Sequence, residues 1–265
     1  MKVLLLDGYN LLFRARSGWK QGDNPIVFNF LRSFRMLVGK FNPDRVYFVL
    51  EGRPVQRLQV MSEYKAQRKY HDRDDFKRQR KLIIRMLQES FPIQVVRHPN
   101  YECDDVLAAL ATQRHRDDEV VVVSSDTDFY QLLQQHDSLK LYNPVKKQFI
   151  DPPEYDYVTW KALRGDSSDN IEGFRGVGDK RAKKLVENPQ LLEGFLASPG
   201  HQEKFDRNIH MIQFHDLGAD LDDLETNDPT IDWAGLRKRL SEMQFYSITN
   251  DKPWKKFVDT FTNLD

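Results

Sequence analysis

Acidic residues that follow apolar segments in short polar turns are the feature of this sequence most suited to chemistry. Asp7 follows the run VLLL, and Asp126 and Asp128 follow a run of four valines. Asp166 and Asp169 lie in the turn RGDSSDN. Carboxylates gathered within a few ångströms repel one another, so a group of this kind is stable only with cations bound. These acids therefore predict a site for divalent cations.

A further group of acids, Glu102, Asp104 and Asp105, begins the predicted helix of YECDDVLAAL. Taken alone, this motif is better explained by helix capping, since carboxylates at a helix N-terminus gain from the helix dipole. Together with the other acids it enlarges the predicted metal site. Mg²⁺ prefers oxygen ligands, and two such ions can clamp the attacking and leaving oxygens of a phosphodiester. Zinc is not expected, because the histidines have no ligand spacing.

The elements that must position these acids are short apolar runs separated by helical patterns. Four runs read as strands covered on both faces, at residues 2–8, 45–52, 93–99 and 119–126. Their alternation with helices predicts an α/β fold with a mainly parallel central sheet covered by helices. In such sheets ligands gather beyond the carboxyl ends of the strands. Asp7, Glu51, Asp126 and Asp128 are therefore expected on one rim.

The rest of the chain has a different pattern. Residues 139–150 predict a hairpin around Asn143 and Pro144, and everything later reads as helices and loops. Residues 63–90 read mostly as one long helix with an apolar stripe only in the second half. The charged first half is expected to stand in solvent or to meet a charged ligand.

Composition excludes several classes of protein. The 40 basic and 40 acidic residues balance, yet residues 53–81 hold ten Lys or Arg against four acids, and residues 208–236 hold no Lys or Arg. The single Cys103 excludes an internal disulfide framework and favours a reducing compartment. No apolar run is long enough for a signal peptide or a membrane span. We therefore expect a soluble, cytoplasmic protein without a membrane partner.

Five motifs in a fixed order resemble a known family. DGYN, EYKAQR, ECDD, SSDTDF and GDSSDNIEGFRGVGDKRA, which lie between residue 1 and about residue 186, resemble the 5′ nuclease family of flap endonucleases and 5′→3′ exonucleases. The bacterial and bacteriophage branch is the most similar, so a bacterial cell or a phage-infected host is the expected setting. The resemblance implies metal-dependent hydrolysis of phosphodiester bonds in DNA, at 5′ ends and branched junctions of duplexes, and for some members in RNA/DNA hybrids. Replication and repair are the expected context.

The resemblance also assigns the acids to two Mg²⁺ positions, at which Mn²⁺ is expected to substitute. The first position would be held by Asp7, Glu102, Asp104, Asp105 and Asp126, with Asp128 bridging toward the second. Asp166 and Asp169 would belong to the second position. Glu51 stands where the family usually has Asp. Whether Glu51 reaches a metal-bound water stays open at this point.

The basic, aromatic stretch SEYKAQRKYHDRDDFKRQRK could be a solvated helix face, but its composition also suits a single nucleic-acid strand. In the family the corresponding region, residues 53–90 here, is a helical arch or clamp. Lys65 and Arg68 match the YKxxR pattern and would stabilise charge on the scissile phosphate, while Tyr64 would stack on the terminal nucleobase. Lys69 and Arg73 are expected to contact DNA.

The segment GFRGVGDKRAKKL is a Gly-x-Gly turn followed by a predicted helix, which is a weak signal by itself. It resembles the helix-hairpin-helix of the family, which grips duplex DNA and in some members binds a monovalent cation, K⁺ here, through backbone carbonyls. The residues expected to contact phosphates are Gly176, Gly178, Lys180, Arg181 and Lys184.

We expect one domain over residues 1–265 and a monomer. A catalytic core would span residues 1–150, the helix-hairpin-helix region residues 151–200, and C-terminal helices packed on the core residues 201–265. Two alternatives remain. One is a DNA-junction binding protein whose acids are only structural, which metal removal would distinguish. The other is a PIN-type ribonuclease, which generally lacks the arch and the GVGDKRA segment.

Overall fold

A seven-stranded sheet lies at the centre of this computed structural model, which describes residues 1–20, 22–68, 74–136 and 138–264. The strands of the described residues are β1 (Lys2–Asp7), β2 (Arg45–Val49), β3 (Gln94–Arg97), β4 (Glu119–Val123), β5 (Leu139–Asn143), β6 (Gln148–Ile150), β7 (Gly165–Asp166), β8 (Ile171–Glu172) and β9 (Glu225–Thr226). The order in the sheet is β6-β5-β4-β1-β2-β3-β9, and β7 pairs with β8 apart from it. The strands β1 to β5 run parallel, while β6 and β9 are antiparallel edges. The predicted mainly parallel sheet is confirmed.

Helices cover both faces of this sheet. The α-helices are α1 (Gly8–Ala15), α2 (Pro25–Phe41), α3 (Val55–Val60), α4 (Asp74–Ser90), α5 (Cys103–Ala109), α6 (Tyr130–Leu133), α7 (Tyr157–Arg164), α8 (Asp179–Val186), α9 (Pro189–Leu196), α10 (His201–Ile212), α11 (Trp233–Glu242), α12 (Tyr246–Thr249) and α13 (Asp251–Asp259). A π-helical turn, Leu110–Arg114, and two 3₁₀ turns, Thr127–Phe129 and Gly218–Asp223, complete them. Within the described ranges, no helix has the length and apolarity needed to cross a membrane.

Strand residues alternate between two separate cores. In β1, Leu4 and Leu6 face the core built by α1, α2, α4, α11 and α13, whereas Val3 and Leu5 face the core built by α5 and its π-helical turn. Because successive side chains point to opposite faces, a strand buried on both faces must be apolar throughout. This burial explains why the strands appear in the sequence as unbroken apolar runs.

The order in which successive strands are added to the sheet reverses beside β1. The strands β2 and β3 lie on one side of β1, and β4 and β5 lie on the other. Side chains beyond the carboxyl ends of two strands at such a point line a crevice that commonly binds ligands. Asp7 ends β1 here, and Asp126 follows β4, so the topology brings the two acids to one rim.

The predicted long helix over residues 63–90 is wrong in its first part. Residues 62–67 form turns, and α4 begins only at Asp74. Lys65 has a φ of 56°, in the left-handed region, and its N–H donates to the carbonyl of Asp169 at 3.1 Å. This contact pulls the chain out of a helical path. Lys69 and Arg73 lie outside the described residues.

The first half of α4 is also less exposed than predicted. Phe76 and Gln79 are buried along one face, and the Gln79 Oε1 accepts hydrogen bonds from the N–H groups of Ile26 and Val27 at 2.9 and 3.3 Å. These N–H groups begin α2 and have no partner within their own helix. An uncharged side chain among many charged ones thus anchors α4 to α2.

The region after residue 139 holds more strand than predicted. The hairpin over residues 139–150 is confirmed, since β5 and β6 pair antiparallel. The prediction of helices and loops alone for later residues is wrong, because β7 pairs with β8 and β9 pairs with β3. The β9 segment supplies hydrogen-bond partners to the edge of β3, which would otherwise present unpaired backbone groups.

The last helices and α10 pack in different places. Phe257 of α13 and the following Phe261 join the core that contains Phe34 and Phe91, and the ring centroids of Phe34 and Phe261 lie 5.2 Å apart. By contrast, Met211 and Ile212 of α10 belong to a smaller cluster with Ala162 of α7.

Replacing Phe34 with alanine tests this aromatic core. Phe34 is 1% exposed and its ring contacts Phe30, Phe91 and Phe261. We expect a loss of about 3–5 kcal/mol in the free energy of unfolding, the usual cost of truncating a buried Phe. Met36→Ala, in the same helix but 62% exposed, should change it by less than about 0.5 kcal/mol. Urea unfolding followed by circular dichroism measures both, and equal effects would contradict the packing described.

Candidate active site

The position of Asp7 depends on contacts with two neighbouring elements. Its Oδ1 accepts a hydrogen bond from the N–H of Asn10 at 3.0 Å and so caps α1. Its Oδ2 accepts from the hydroxyl of Ser124 at 2.7 Å, just after β4. Asn10 in turn donates to Ser125 at 2.7 Å. Asp7 is thereby held between the ends of two adjacent strands.

Asp126 and Asp128 are arranged by the 3₁₀ turn that follows β4. The Asp126 side chain accepts from the N–H of Asp128 at 2.9 Å, which caps the turn. The Asp128 Oδ1 accepts from the hydroxyl of Tyr157 at 2.9 Å and also from the ammonium group of Lys161. Both partners lie on α7, so the turn is fixed against that helix.

Asp128, Asp166 and Asp169 form what we call the second acid group. Each offers a carboxylate oxygen within 4.8 Å of the others. Lys161 lies among them, paired with Asp128 and, at 2.6 Å, with Asp166. Lys161 was not among the residues predicted from the sequence. It follows Tyr157 by four residues on the buried face of α7, and a lysine in such a place signals a carboxylate partner.

Glu102 and Asp105 both contact Arg57, but they have different surroundings. The Glu102 carboxylate accepts from Arg57 at 2.8 Å, from the Tyr64 hydroxyl at 3.0 Å and from Lys65. Asp105 is 1% exposed, and both of its oxygens accept from Arg57, at 2.6 and 2.9 Å. Asp105, which was predicted to hold metal, faces Arg57 and is not among the acids that line the cleft described below, so the structure does not bring it together with the other predicted ligands.

The segment that carries Tyr64, Lys65 and Arg68 lies against the acids. Tyr64 is 6% exposed, and its hydroxyl donates to Glu102 and to Asp169. The predicted stacking of Tyr64 on a nucleobase is not possible in this structure, because stacking requires an exposed ring face. Lys65 pairs with Glu102 and Asp169, and Arg68 pairs with Asp169.

These residues open onto one cleft with a volume of about 1940 Å³. The acids that line this acid cleft are Asp7, Glu51, Asp104, Asp126, Asp128, Asp166 and Asp169. The cations among them are Lys65, Arg68 and Lys161, with Arg14, Arg16, Arg80, Arg97 and Arg164 further along its walls. Glu51 therefore lies in the cleft, and its Oε2 accepts from the N–H of Cys103 at 3.3 Å. Glu102 lines a small cavity beside the cleft, together with Asp104 and Asp128.

The two ends of the cleft differ in electrostatics. Burial raises the pKa of Asp7 to about 6, and enclosure in the cleft together with the charge of Glu102 raises the pKa of Glu51 to about 7. Burial, and then the charges of Asp126 and Asp7, raise the pKa of Asp104 well above its ordinary value. Burial would also raise the pKa of Asp166, but the adjacent lysine lowers it to about 2.

Asp7, Glu51, Asp104 and Asp126, the first acid group, fit a divalent cation. Their pKa values are all raised, so the protein's own cations compensate their charge only in part. All of the side-chain donors are carboxylate oxygens, the ligands that hard cations prefer. A bound divalent cation would supply the positive charge that offsets the repulsion among these carboxylates.

The segment that we call the α7–α8 element spans residues 157–186. Gly176 has a φ of 72°, a left-handed conformation that suits glycine, and Gly178 lies at the N-terminus of α8. Lys180, Arg181 and Lys184 are exposed on α8. The two helices bury Leu163, Phe174, Val177, Ala182 and Leu185 in a small core. The element thus presents three cations beside a tight glycine turn.

Solved structures of nucleases share this fold. The bacteriophage T5 flap endonuclease, in a pseudo-enzyme–product complex with DNA and metal ions, aligns over 99% of each chain with a TM-score of 0.67 and 20% identity. Human GEN1 in complex with Holliday junction DNA aligns over 99% of this chain and 72% of its own, with a TM-score of 0.58 and 16% identity. This chain therefore shares its α/β fold with these two proteins.

Sequence comparison defines the family. Residues 2–159 match the model of the 5′-3′ exonuclease N-terminal resolvase-like domain. The thermostable DNA polymerase I of Thermus filiformis is 32% identical over 279 residues, which cover 94% of this chain and 33% of the polymerase. The 5′-3′ exonuclease of Mycoplasmopsis pulmonis is 28% identical over 211 residues, covering 74% of this chain and 70% of that protein. The chain belongs to the 5′-3′ exonuclease family, which confirms the predicted family. It spans about a third of the length of the polymerase relatives.

The raised pKa of Asp7 predicts that this carboxyl contributes less to the stability of the metal-free protein as the pH rises. Below about pH 4 the carboxyl is protonated in both states. Between its ordinary pKa of 3.8 and its folded pKa of about 6, the folded state binds more protons, so the free energy of unfolding falls as the pH rises. We expect Asp7→Asn to remove about 1–3 kcal/mol of this fall. Thermal unfolding in EDTA from about pH 4 to 7 measures it.

The exposed Asp23→Asn serves as the control and should keep the wild-type profile. Asp166, with its lowered pKa of about 2, acts in the opposite direction below this pH window. His215, whose pKa burial lowers to about 4, acts in the opposite direction within it, so the difference between Asp7→Asn and the wild type isolates the effect of Asp7. Adding Mg²⁺ near pH 7 should restore stability in the wild type, because a ligand that binds only the folded state stabilises it. An Asp7→Asn profile that runs parallel to the wild-type profile in EDTA would contradict the assignment.

Proposed function

We propose that this protein is a structure-specific, divalent-metal-dependent 5′ nuclease that acts as a 5′→3′ exonuclease and a 5′-flap endonuclease. The main observation that supports this proposal is that seven carboxylates from five separate segments converge in one cleft flanked by Lys65 and Arg68. Acids brought together from so many segments, with their mutual repulsion only partly offset, are typical of a functional site. Membership of the 5′-3′ exonuclease family supports the same reaction.

Two Mg²⁺ ions are the proposed cofactor, and Mn²⁺ is the proposed substitute. Asp7, Glu51, Asp104 and Asp126, with Glu102 beside them, would hold one ion, and Asp128, Asp166 and Asp169 would hold the other. Bound there, such ions would neutralise charge on a phosphodiester and make a water molecule more acidic. Related T5 nuclease structures hold divalent ions, zinc in one case, but the all-carboxylate donor set of this chain favours harder cations.

The side chains of the protein have separate tasks in this proposal. Lys65 and Arg68 place positive charge beside both acid groups, where it can stabilise negative charge that develops on a scissile phosphate. Lys161 keeps Asp128 and Asp166 in fixed orientations through its two ion pairs. The pairing of cations with acids also limits repulsion before the substrate binds.

The proposed substrate is branched or 5′-ended duplex DNA, and RNA/DNA hybrids are a further proposed substrate. The α7–α8 element would act as a helix-hairpin-helix: Gly176 and Gly178 let the backbone approach a phosphate, and the exposed cations of α8 add attraction. A K⁺ ion is proposed at the carbonyls of this turn. Lys69 and Arg73 are also proposed to contact the DNA. We propose a monomer that works in the cytoplasm of a bacterial cell or a phage-infected host.

Cleavage of a 5′-labelled DNA flap tests the proposed function. Wild-type protein should release a short product near the junction with Mg²⁺ or Mn²⁺, and should release none with EDTA. Asp126→Asn removes one charge of the first acid group and should slow cleavage on the order of 100-fold or more, because preorganised charge in the cleft is lost. The exposed Asp23→Asn should cleave at the wild-type rate.

Other outcomes of this assay favour the two alternatives. Tight flap binding without cleavage in Mg²⁺ and in Mn²⁺ would make the protein a junction-binding protein with structural acids. Cleavage of single-stranded RNA without cleavage of the flap would identify a PIN-type ribonuclease.

A double substitution on α8 tests the proposed duplex contact. Lys180→Ala with Lys184→Ala removes two exposed cations of the α7–α8 element. It should raise the Kd for duplex DNA and reduce the salt dependence of log Kd by about 2, since each phosphate contact contributes about 0.9. Cleavage at saturating DNA should be unchanged.

The matched control is Lys252→Ala with Lys255→Ala, which removes two exposed cations from α13. Fluorescence anisotropy at several salt concentrations measures the Kd of both proteins. If the control weakens DNA binding as much as the α8 variant does, the contact is general electrostatic attraction and the proposed role of α8 is wrong.

A further inference from the structure

Arg57 is a buried guanidinium group whose five N–H donors all have acceptors. The side chain is 4% exposed. Its Nη1 donates to Glu102 and Asp105 at 2.8 and 2.6 Å, and its Nη2 donates to Asp105 at 2.9 Å and to the carbonyl of Gln213 at 3.0 Å. The Nε donates to the carbonyl of Met211 at 2.9 Å. No donor remains for a substrate, so Arg57 acts through the groups that it holds.

These acceptors belong to segments far apart in the sequence. Glu102 and Asp105 are at the start of α5, whereas Met211 and Gln213 are at the end of α10. Arg57 is on α3, between β2 and the turn that carries Lys65. One side chain therefore joins the N-terminus of α5, beside the first acid group, to the C-terminal end of α10.

The far side of α10 is tied to the second acid group. Asn208 of α10 is fully buried and donates to the carbonyls of Ala162 and Glu172, both at 2.9 Å. Ala162 is beside Lys161 on α7, and Glu172 is in β8, which pairs with the strand that contains Asp166. A continuous series of hydrogen bonds thus runs from Glu102 through Arg57 and α10 to the acids around Asp166.

Both carboxylate oxygens of Asp105 accept hydrogen bonds within this network. Besides the two bonds from Arg57, its Oδ1 accepts from the N–H of His215 at 2.9 Å. A planar guanidinium with a bidentate carboxylate partner has a defined orientation, which a lysine ammonium cannot reproduce. The pair therefore sets the direction in which Arg57 presents its remaining donors to Glu102 and to α10.

We propose that Arg57 is a positioning residue that fixes the two acid groups relative to each other, and that Asp105 orients Arg57 and binds no metal. This inference rests on the proposed function, because it concerns the same metal site. A group that orients a metal ligand typically changes metal affinity about 10- to 100-fold when it is removed.

The test compares Arg57→Lys, Asp105→Asn and the double variant by isothermal titration with Mn²⁺ in the absence of DNA, with flap cleavage measured in parallel. Each single variant should weaken Mn²⁺ affinity about 10-fold or more while the number of bound ions stays the same. The double variant should be no weaker than the weaker single variant, because both substitutions remove one shared interaction. Arg239→Lys, which alters an ion pair with Glu89 at 2.7 Å, should bind Mn²⁺ as the wild type does.

Three results would overturn the inference. If Asp105→Asn loses one bound Mn²⁺ while Arg57→Lys matches the wild type, Asp105 is itself a ligand. If the two losses add in the double variant, the residues act independently. If the melting temperature falls but Mn²⁺ affinity does not change, Arg57 only stabilises the fold.

The experiment also decides the role of Arg57 if one variant does not fold or if the wild type does not cleave DNA. If Arg57→Lys does not fold, Asp105→Asn decides alone: weaker binding of an unchanged number of ions supports the inference, and a lost ion or wild-type affinity overturns it. If the wild type binds Mn²⁺ but does not cut the flap, the proposed function fails while the affinities still decide the role of Arg57. A wild type that binds no Mn²⁺ overturns both.

Discussion

Repulsion among carboxylates at the carboxyl edge of the sheet is the constraint on which the rest of this structure depends. Parallel strands end on one side, and the reversal of strand order beside β1 places Asp7 and Asp126 on the same rim. Like charges held close together cannot all ionise without compensation. The cations of the chain and any bound ions must therefore be arranged around these acids, and the local turns serve that arrangement.

The negative charge of the acids is neutralised by protein groups to different extents at the two ends of the cleft. Around Asp166 a lysine of α7 supplies the charge, and the pKa of this acid is held at about 2. At Asp7 the main contacts are hydroxyl, thiol and backbone groups, and the pKa rises to about 6. The end of the cleft around Asp7 is therefore more dependent on bound cations than the end around Asp166.

Charged groups that are fully buried serve a different purpose from those at the cleft. Arg57 makes all of its bonds inside the protein, where a planar fork can join several backbone and carboxylate acceptors at once. Lys65 and Arg68 lie at the cleft, where they remain within reach of a substrate. In the proposed function, Arg57 would therefore fix the acid groups, and Lys65 and Arg68 would attract phosphate.

Local patterns in the sequence determined the sheet and much of the site. Doubly buried strands must be apolar, so their runs and the acids at their ends, such as Asp7 and Asp126, can be found without coordinates. Only the tertiary structure decided which adjacent acid faces the cleft: neighbouring residues on a helix point about 100° apart, so the orientation of α5 turns Asp104 toward the cleft and Asp105 toward Arg57. The burial of Tyr64 also depends on contacts more than 30 residues away in the chain, which no local pattern contains.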